Sequence, residues 1–223
     1  MSRAPRSFDR LARVYRFLEF LAFGSTLEQA RFCLLEEIKD RRAILVLGEG
    51  DGRCLARLVR LAPEAQITCV DFSAAMLARA AAGIAPADRA RISFHRADVL
   101  VAPLPAGSYD AAVTLFFLDC FTPAQAAELV GRISASLRPD ALWLWADFQL
   151  PAGGPVRWRA QVWLKILYAF FRWQTGLPAR ELPPAEALIT VAGFAPAAHR
   201  DFSGGLLRSV VFRRRDANRL TGA

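Results

Sequence analysis

The chain contains 223 residues, 54% of them hydrophobic, and carries a formal net charge of +8. This length and apolar content suit one domain with a sizeable buried core. No uninterrupted apolar run reaches the roughly 18 residues of a membrane-spanning helix, and the N-terminal MSRAPRSFDRLARVYR is too charged for a signal peptide, so a soluble, cytoplasmic protein is expected.

Residues 8–39 place Phe8, Leu11, Tyr15, Leu18, Phe20, Leu21, Phe23 and Phe32 at helix-like intervals, with a break near Gly24 and Ser25. Apolar runs then alternate with helical patterns. Strands are predicted over 43–47, 67–71, 92–95, 110–116 and 141–147, and helices over 52–61, 73–83, 123–137 and 184–192. Such alternation builds a parallel α/β sheet. Residues 155–174, PVRWRAQVWLKILYAFFRWQ, insert a helical segment with Trp158, Val162, Ile166, Ala169, Phe170 and Trp173 near one face. Near the end, APAAHRDF and GLLRSVVFRR flank SGG as the arms of a hairpin would. The single domain thus divides into a helical cap (1–40), a core (41–150), a helical insertion or lid (151–180), a last helix with a hairpin (181–214) and a tail (215–223).

The four cysteines, Cys33, Cys54, Cys69 and Cys120, lie in periodic apolar segments without a C-x-x-C pair, which favours buried thiols over zinc or disulfides, and no metal is expected. Basic residues are almost all arginine and are spread along the chain. Only Arg213 to Arg215 resembles a patch, and such runs are usually solvated.

The informative stretch is AILVLGEGDGRCLARL, residues 43–58. A short apolar run without polar alternation reads as a strand buried on both faces. It enters Gly48, Gly50 and Gly52, and Cys54, Leu55, Leu58 and Val59 follow at helical spacing. Three glycines in a strand-to-helix turn leave an accessible backbone with a helix N-terminus behind it, which suits a nucleotide-like ligand. The dinucleotide fingerprint G-x-G-x-x-G would need glycine where Arg53 stands, so nicotinamide cofactors are disfavoured. Asp71, ending QITCVDFS, supplies an acid about 20 positions on, at the tip of the next strand, where ribose hydroxyls bind in such folds.

On these residues the chain resembles the class I S-adenosylmethionine-dependent methyltransferases, whose glycine loop commonly reads like LGEGDGR and whose second strand often ends in D-x-S-x-x-M-L, here Asp71, Ser73, Met76 and Leu77. The likeness continues through FHRADV, YDAAVTLFFLDCF, LRPDALWLWADF and VAGF, and has some quinone-biosynthesis character. It implies a Rossmann-like seven-stranded sheet, mostly parallel with an antiparallel C-terminal strand and helices on both faces. It also implies S-adenosylmethionine as cofactor, bound through Gly48, Glu49, Gly50, Gly52, Asp71, Phe72, Asp98, Val99 and Leu115. Many members carry an acid two positions before the first glycine. This chain has Val46 there, and Glu49 is the carboxylate available to replace it.

Methyl transfer from a sulfonium needs an aligned acceptor and little water, so a dedicated base is optional. For an acceptor that must lose a proton, Asp119 is the first candidate and Asp147 the second; the competing role of Asp119 is to cap the helix that starts near Thr122 and Pro123. His95 reads as a core or rim histidine rather than a catalytic one. The aromatic N-terminal segment and the insertion point to an apolar small molecule or lipid as acceptor, with peripheral membrane contact through 155–174. An RNA methyltransferase and a non-catalytic donor-binding or membrane-surface module are the rival readings. The basic pI near 10.1 favours the former, but no RNA-binding appendage is evident, so nucleic acid is not the expected partner. Oligomeric state is not legible.

Overall fold

A computed structural model describes residues 25–151 and 181–215, together with positions 153, 157, 158, 161, 162 and 179. The aromatic positions 8–23 and most of the 155–174 insertion lie outside the described residues. Of the insertion, Arg157, Trp158, Gln161 and Val162 are helical, with Trp158 and Val162 exposed.

The strands are β1 (Ala43–Leu47), β2 (Gln66–Asp71), β3 (Ile92–Arg96), β4 (Tyr109–Leu115), β5 (Leu137–Phe148), β6 (Phe194–Phe202) and β7 (Leu207–Arg214). They form one seven-stranded sheet in the order β3-β2-β1-β4-β5-β7-β6. β7 runs antiparallel to both its neighbours, whereas the β1–β2, β1–β4, β2–β3 and β4–β5 pairs are parallel. The expected mixed sheet is therefore present. The principal helices are α1 (Thr26–Phe32), α2 (Arg53–Leu61), α3 (Ala74–Ala82), α4 (Pro123–Ser136) and α5 (Ala185–Val191).

Side-chain alternation along the strands divides the core in two. On one face Ile44, Val46, Ile67, Leu142 and Leu144 pack with Leu55, Leu58 and Val59 of α2. On the other, Leu45, Leu47, Trp143, Trp145 and Phe212 pack with Leu129, Val130 and Ile133 of α4 and Ile189 of α5. Full burial of side chains such as Leu55 and Leu58 is worth roughly 1.5–3 kcal/mol each. Trp143 is buried because its indole N–H finds a partner, donating to Thr114 Oγ1 at 2.9 Å.

One boundary differs from the sequence expectation by more than a residue or two. β5 begins at Leu137, directly after the last residue of α4, and carries Pro139 and Asp140 at its exposed start. The register with β4 shifts between Tyr109 and Ala111, which absorbs the irregular entry. α4 itself is started by Thr122, whose hydroxyl accepts from the Gln125 backbone while the Gln125 side chain accepts from Thr122 N, with Pro123 at the first helical position. Asp119 is therefore not the helix cap. α1 lies against β6 and β7 near the strand ends that form the candidate site, and Ser209 Oγ donates to Ala30 O to tie it there.

Candidate active site

The C-terminal ends of β1, β2, β3, β4 and β5 bring Gly48–Gly52, Asp71, Asp98, Leu115–Asp119 and Asp147 to one edge, where open α/β sheets bind ligands. The glycine loop has a different reason for each glycine. All three adopt left-handed backbone, with φ of 67°, 69° and 90° for Gly48, Gly50 and Gly52. A Cβ on Gly52 would sit 2.6 Å from the Ala80 Cα, so the glycine permits the loop to touch α3. A Cβ on Gly48 would sit 2.2 Å from the Phe117 ring. At Gly50 a Cβ would meet nothing within 4 Å, so this glycine presents bare backbone to open space. A ligand of nucleotide type is what such a surface can receive.

Beside Gly50 stands Asp71 at the tip of β2. Its Oδ2 accepts from Gly50 N at 3.3 Å and its Oδ1 from Ser73 N at 2.8 Å. Burial raises its pKa, although those amides pull the other way. Each carboxylate oxygen retains a lone pair, so the loop-bracing role and a ribose-binding role are compatible. The next residue, Phe72, exposes 49% of its surface beside Asp71, so its ring is open to a ligand at this edge. Asp98 is exposed, with Oδ1 accepting from Leu100 N at 3.0 Å, and Val99 beside it is buried. Leu115 lines the cleft under the glycine loop.

That cleft, about 300 Å³ including its mouth, is lined by Val46, Gly48, Glu49 and Leu115 from the sheet edge and by Arg31 and Phe32 from α1. Glu49 points into the protein. Its Oε1 accepts from Leu55 N at 2.9 Å, in the first turn of α2, whereas Oε2 is buried without a hydrogen-bond partner. Burial pushes its pKa up to about 8; the Leu55 amide and the Arg31 charge oppose the rise, and Asp51 adds to it. Below pH 8 the carboxyl is neutral in the folded chain. In the unfolded chain it ionises near 4.5, so between these values the unfolded state holds fewer protons and stability falls as pH rises. Glu49→Gln keeps the shape without the charge. It should raise the melting temperature of the ligand-free protein by about 3 °C or more at pH 8 and by much less at pH 5, read by thermal denaturation.

The neighbouring part of the edge combines acids with aromatic rings. Asp147, 2% exposed, ends β5 and accepts at Oδ2 from Asp119 N and from Trp145 Nε1, both at 3.2 Å. Its Oδ1 is buried with no partner of normal hydrogen-bond geometry. Burial, and then the neighbouring Asp119 charge, push Asp147 well above the usual carboxyl range; burial raises Asp119 as well, with Asp147 and Arg31 countering. Both carboxyls therefore titrate above their ordinary range, Asp147 further above it than Asp119. The Cys120 thiol donates to Asp119 Oδ1 at 3.6 Å. Around them Phe116 and Phe148 pack edge to face at 5.4 Å, the Arg31 guanidinium lies 5.1 Å from the Phe116 ring centre, and Phe202 and Leu207 complete the cluster under α1. Phe116 has φ of 53°, a strained conformation for an aromatic residue.

The predicted site residues therefore assemble at one edge. Arg31 is the addition that sequence reading missed, since a lone arginine on a helix outside every motif gives no signal. Other expectations need correction. Cys33, in the turn after α1, is exposed and Cys120, ending the short 3-10 helix Leu118–Cys120, is only partly buried, while Cys54 and Cys69 are buried as expected. Of the two places expected for His95, core or rim, it takes the rim, exposed on the edge strand β3. Among the described residues no cluster of three or more His, Cys, Asp or Glu is arranged to hold a metal ion.

Comparison with known proteins agrees with this geometry. A family profile described as a methyltransferase domain matches residues 44–140. A demethylmenaquinone methyltransferase from Thermus thermophilus is 31% identical over 149 residues, spanning 66% of this chain and 66% of that protein. Among solved structures, the 1,6-didemethyltoxoflavin-N1-methyltransferase of Burkholderia thailandensis, crystallised with 1,6-didemethyltoxoflavin and S-adenosylhomocysteine, superposes with a TM-score of 0.64 at 18% identity over 96% of this chain and 94% of that one. An O-methyltransferase family protein from the same organism gives a TM-score of 0.70 at 19% identity, over 97% of this chain and 66% of the other. The sheet order and the glycine-loop edge define a Rossmann-like fold of the methyltransferase type. The chain belongs to the S-adenosylmethionine-dependent methyltransferase family.

Proposed function

We propose that the protein is an S-adenosylmethionine-dependent methyltransferase acting on an apolar small molecule, such as a quinone precursor, another aromatic compound or a lipid. The observation that carries the reading is the bare backbone at Gly50, facing open space beside Asp71 and the half-exposed Phe72. These residues fit the cofactor: Asp71 would hold the ribose hydroxyls, Phe72, Asp98 and Val99 would border the adenine, and Gly48, Glu49, Gly50, Gly52 and Leu115 would form the rest of the cradle. The bound cofactor supplies an electrophilic methyl group on a sulfonium.

The remaining work falls to this chain's residues. Phe116, Phe148 and Phe202 give the acceptor side apolar walls that exclude water, which favours both binding of a hydrophobic acceptor and a displacement in which charge is lost. Asp119, whose backbone N–H donates to Asp147, is the base that would receive a proton from an acceptor hydroxyl, enol or amine, and burial, by raising its pKa, strengthens it in that role. The kinship with a demethylmenaquinone methyltransferase supports a quinone-like acceptor. The insertion, with Leu167 and Phe171, is assigned to the acceptor or membrane side. A paired Leu167→Ser and Phe171→Ser variant should keep donor affinity and lose acceptor use or liposome association.

Calorimetry with S-adenosylhomocysteine tests the donor assignment. Wild type should bind it and ignore NADH, and Asp71→Ala should bind it about 10- to 100-fold more weakly, the cost of two charge-assisted bonds. Binding of NADH in its place would sink the assignment. Product analysis with a panel of demethylated quinones, phenols and lipids then tests the acceptor.

A further inference from the structure

The short 3-10 helix Leu118–Cys120 folds the side chain of Cys120 back beside that of Asp119. Three anchors hold this turn. Leu118 is fully buried, Asp119 N donates to Asp147 Oδ2 at 3.2 Å, and Thr122 opens α4 shortly after it. Within the turn the Cys120 thiol donates to Asp119 Oδ1 at 3.6 Å. The charged and titratable groups facing Asp119 are Asp147 on β5 and Arg31 on α1, and Asp71 of β2 acts on the thiol. Asp147 Oδ1 is buried and finds no hydrogen-bond partner among the described residues, so an acceptor remains there for a hydrogen brought by a ligand.

We propose that Cys120 is a positioning residue for Asp119, its thiol holding Oδ1 of the carboxylate in a fixed direction and tempering its hold on a proton. The inference rests on the reading of Asp119 as the base that receives the acceptor's proton. A thiol suits this task in two ways. Burial, and then the charges of Asp119 and Asp147, push its pKa well above the usual thiol range, so it stays S–H, a donor rather than a competing nucleophile, while the acids titrate. It is also a weak donor on a small apolar side chain, so it steers the carboxylate without bringing water or a bond strong enough to quench the base. Burial raises Asp119, and the thiol bond opposes that rise.

Infrared spectroscopy of the full chain reads this contact, because S–H stretching falls where other protein groups do not absorb. The Cys120 band is isolated by difference against Cys120→Ala, in which Cys33, Cys54 and Cys69 remain as they are. In wild type the band should move to lower frequency as pH rises and Asp119 ionises, since a bond to a charged acceptor is the stronger one. It should stay in place at every pH in Asp119→Asn and still move in Asp147→Asn. The carboxyl C=O band of Asp119, isolated against Asp119→Asn, should titrate about half a pH unit or more higher in Cys120→Ala than in wild type, with Cys120→Ser restoring the wild-type midpoint. A thiol that only fills space gives an S–H band that ignores pH, or one that moves equally in Asp119→Asn, and either result overturns the proposal. If Cys120→Ala does not fold, Cys120→Ser serves as the blank and the wild-type band still decides. An unchanged Asp119 midpoint in folded Cys120→Ala overturns it as well. None of these spectra needs an acceptor, so they judge the thiol contact alone, whereas normal turnover in Asp119→Asn would overturn the base reading and the role of Cys120 with it.

Discussion

Gly50→Val is expected to abolish S-adenosylhomocysteine binding in a protein that still folds, whereas Gly52→Val should lose both binding and much of its stability. The difference follows from what each Cβ meets. At Gly50 the new side chain enters open space and collides only with a ligand; the cost to the fold is the left-handed backbone, about 2 kcal/mol or near 5 °C of melting temperature. At Gly52 the same backbone penalty is joined by contact with the Ala80 main chain at 2.6 Å, which cannot rotate away. Forcing α3 from the loop should bring the loss to about 4 kcal/mol, or roughly 10 °C. Calorimetry and thermal melts on the two variants separate the effects. Wild-type affinity in Gly50→Val would show that the donor does not use the space in front of that backbone.

Asp119→Asn should lower kcat about a hundredfold with an acceptor that must be deprotonated, while Asp147→Asn should lower it less than about fivefold. The asymmetry comes from the two environments. Asp147 is the carboxyl pushed higher by burial and by its neighbour, and an asparagine there can still accept from Asp119 N and Trp145 Nε1. Asparagine at 119 removes the candidate base itself. In wild type, kcat should rise with pH as the pair gives up its first proton, because both carboxyl groups titrate above their ordinary range. That rising limb should persist in Asp147→Asn. If Asp119→Asn turned over normally with its true acceptor, the pair would be a structural joint between β4 and β5 and no more.

Local features of this site were readable from the chain, and relations between distant segments were not. Gly48, Gly50, Gly52 and Asp71 announce themselves because a strand, a tight turn and a helix are encoded within a few residues, and the acid follows on the next strand. Asp119 and Asp147 could be named singly but not paired, since only the adjacency of β4 and β5 brings them together. The helix-cap alternative for Asp119 fell to Thr122 and Gln125, a four-residue signature present in the sequence all along. Arg31 needed the docking of α1 on β7 before it had any neighbour to act upon. Burial of Glu49, with one oxygen unanswered, likewise belongs to packing rather than to pattern.

The Phe117 ring occupies the position that a side chain on residue 48 would need, and it is held there edge to face with Phe121 at 5.1 Å. The loop proposed to face the acceptor and the loop assigned to the donor are thus cut to each other's outline. Anyone grafting the 116–121 loop of a relative to change substrate preference would be altering a mould as well as a pocket. A graft with a small residue at 117 would leave a void above Gly48, and one with a differently angled aromatic would press on the glycine turn. Acceptor selectivity in this scaffold is therefore best redesigned through Phe202 and Leu207, which belong to the aromatic cluster and leave Phe117 and Gly48 in place.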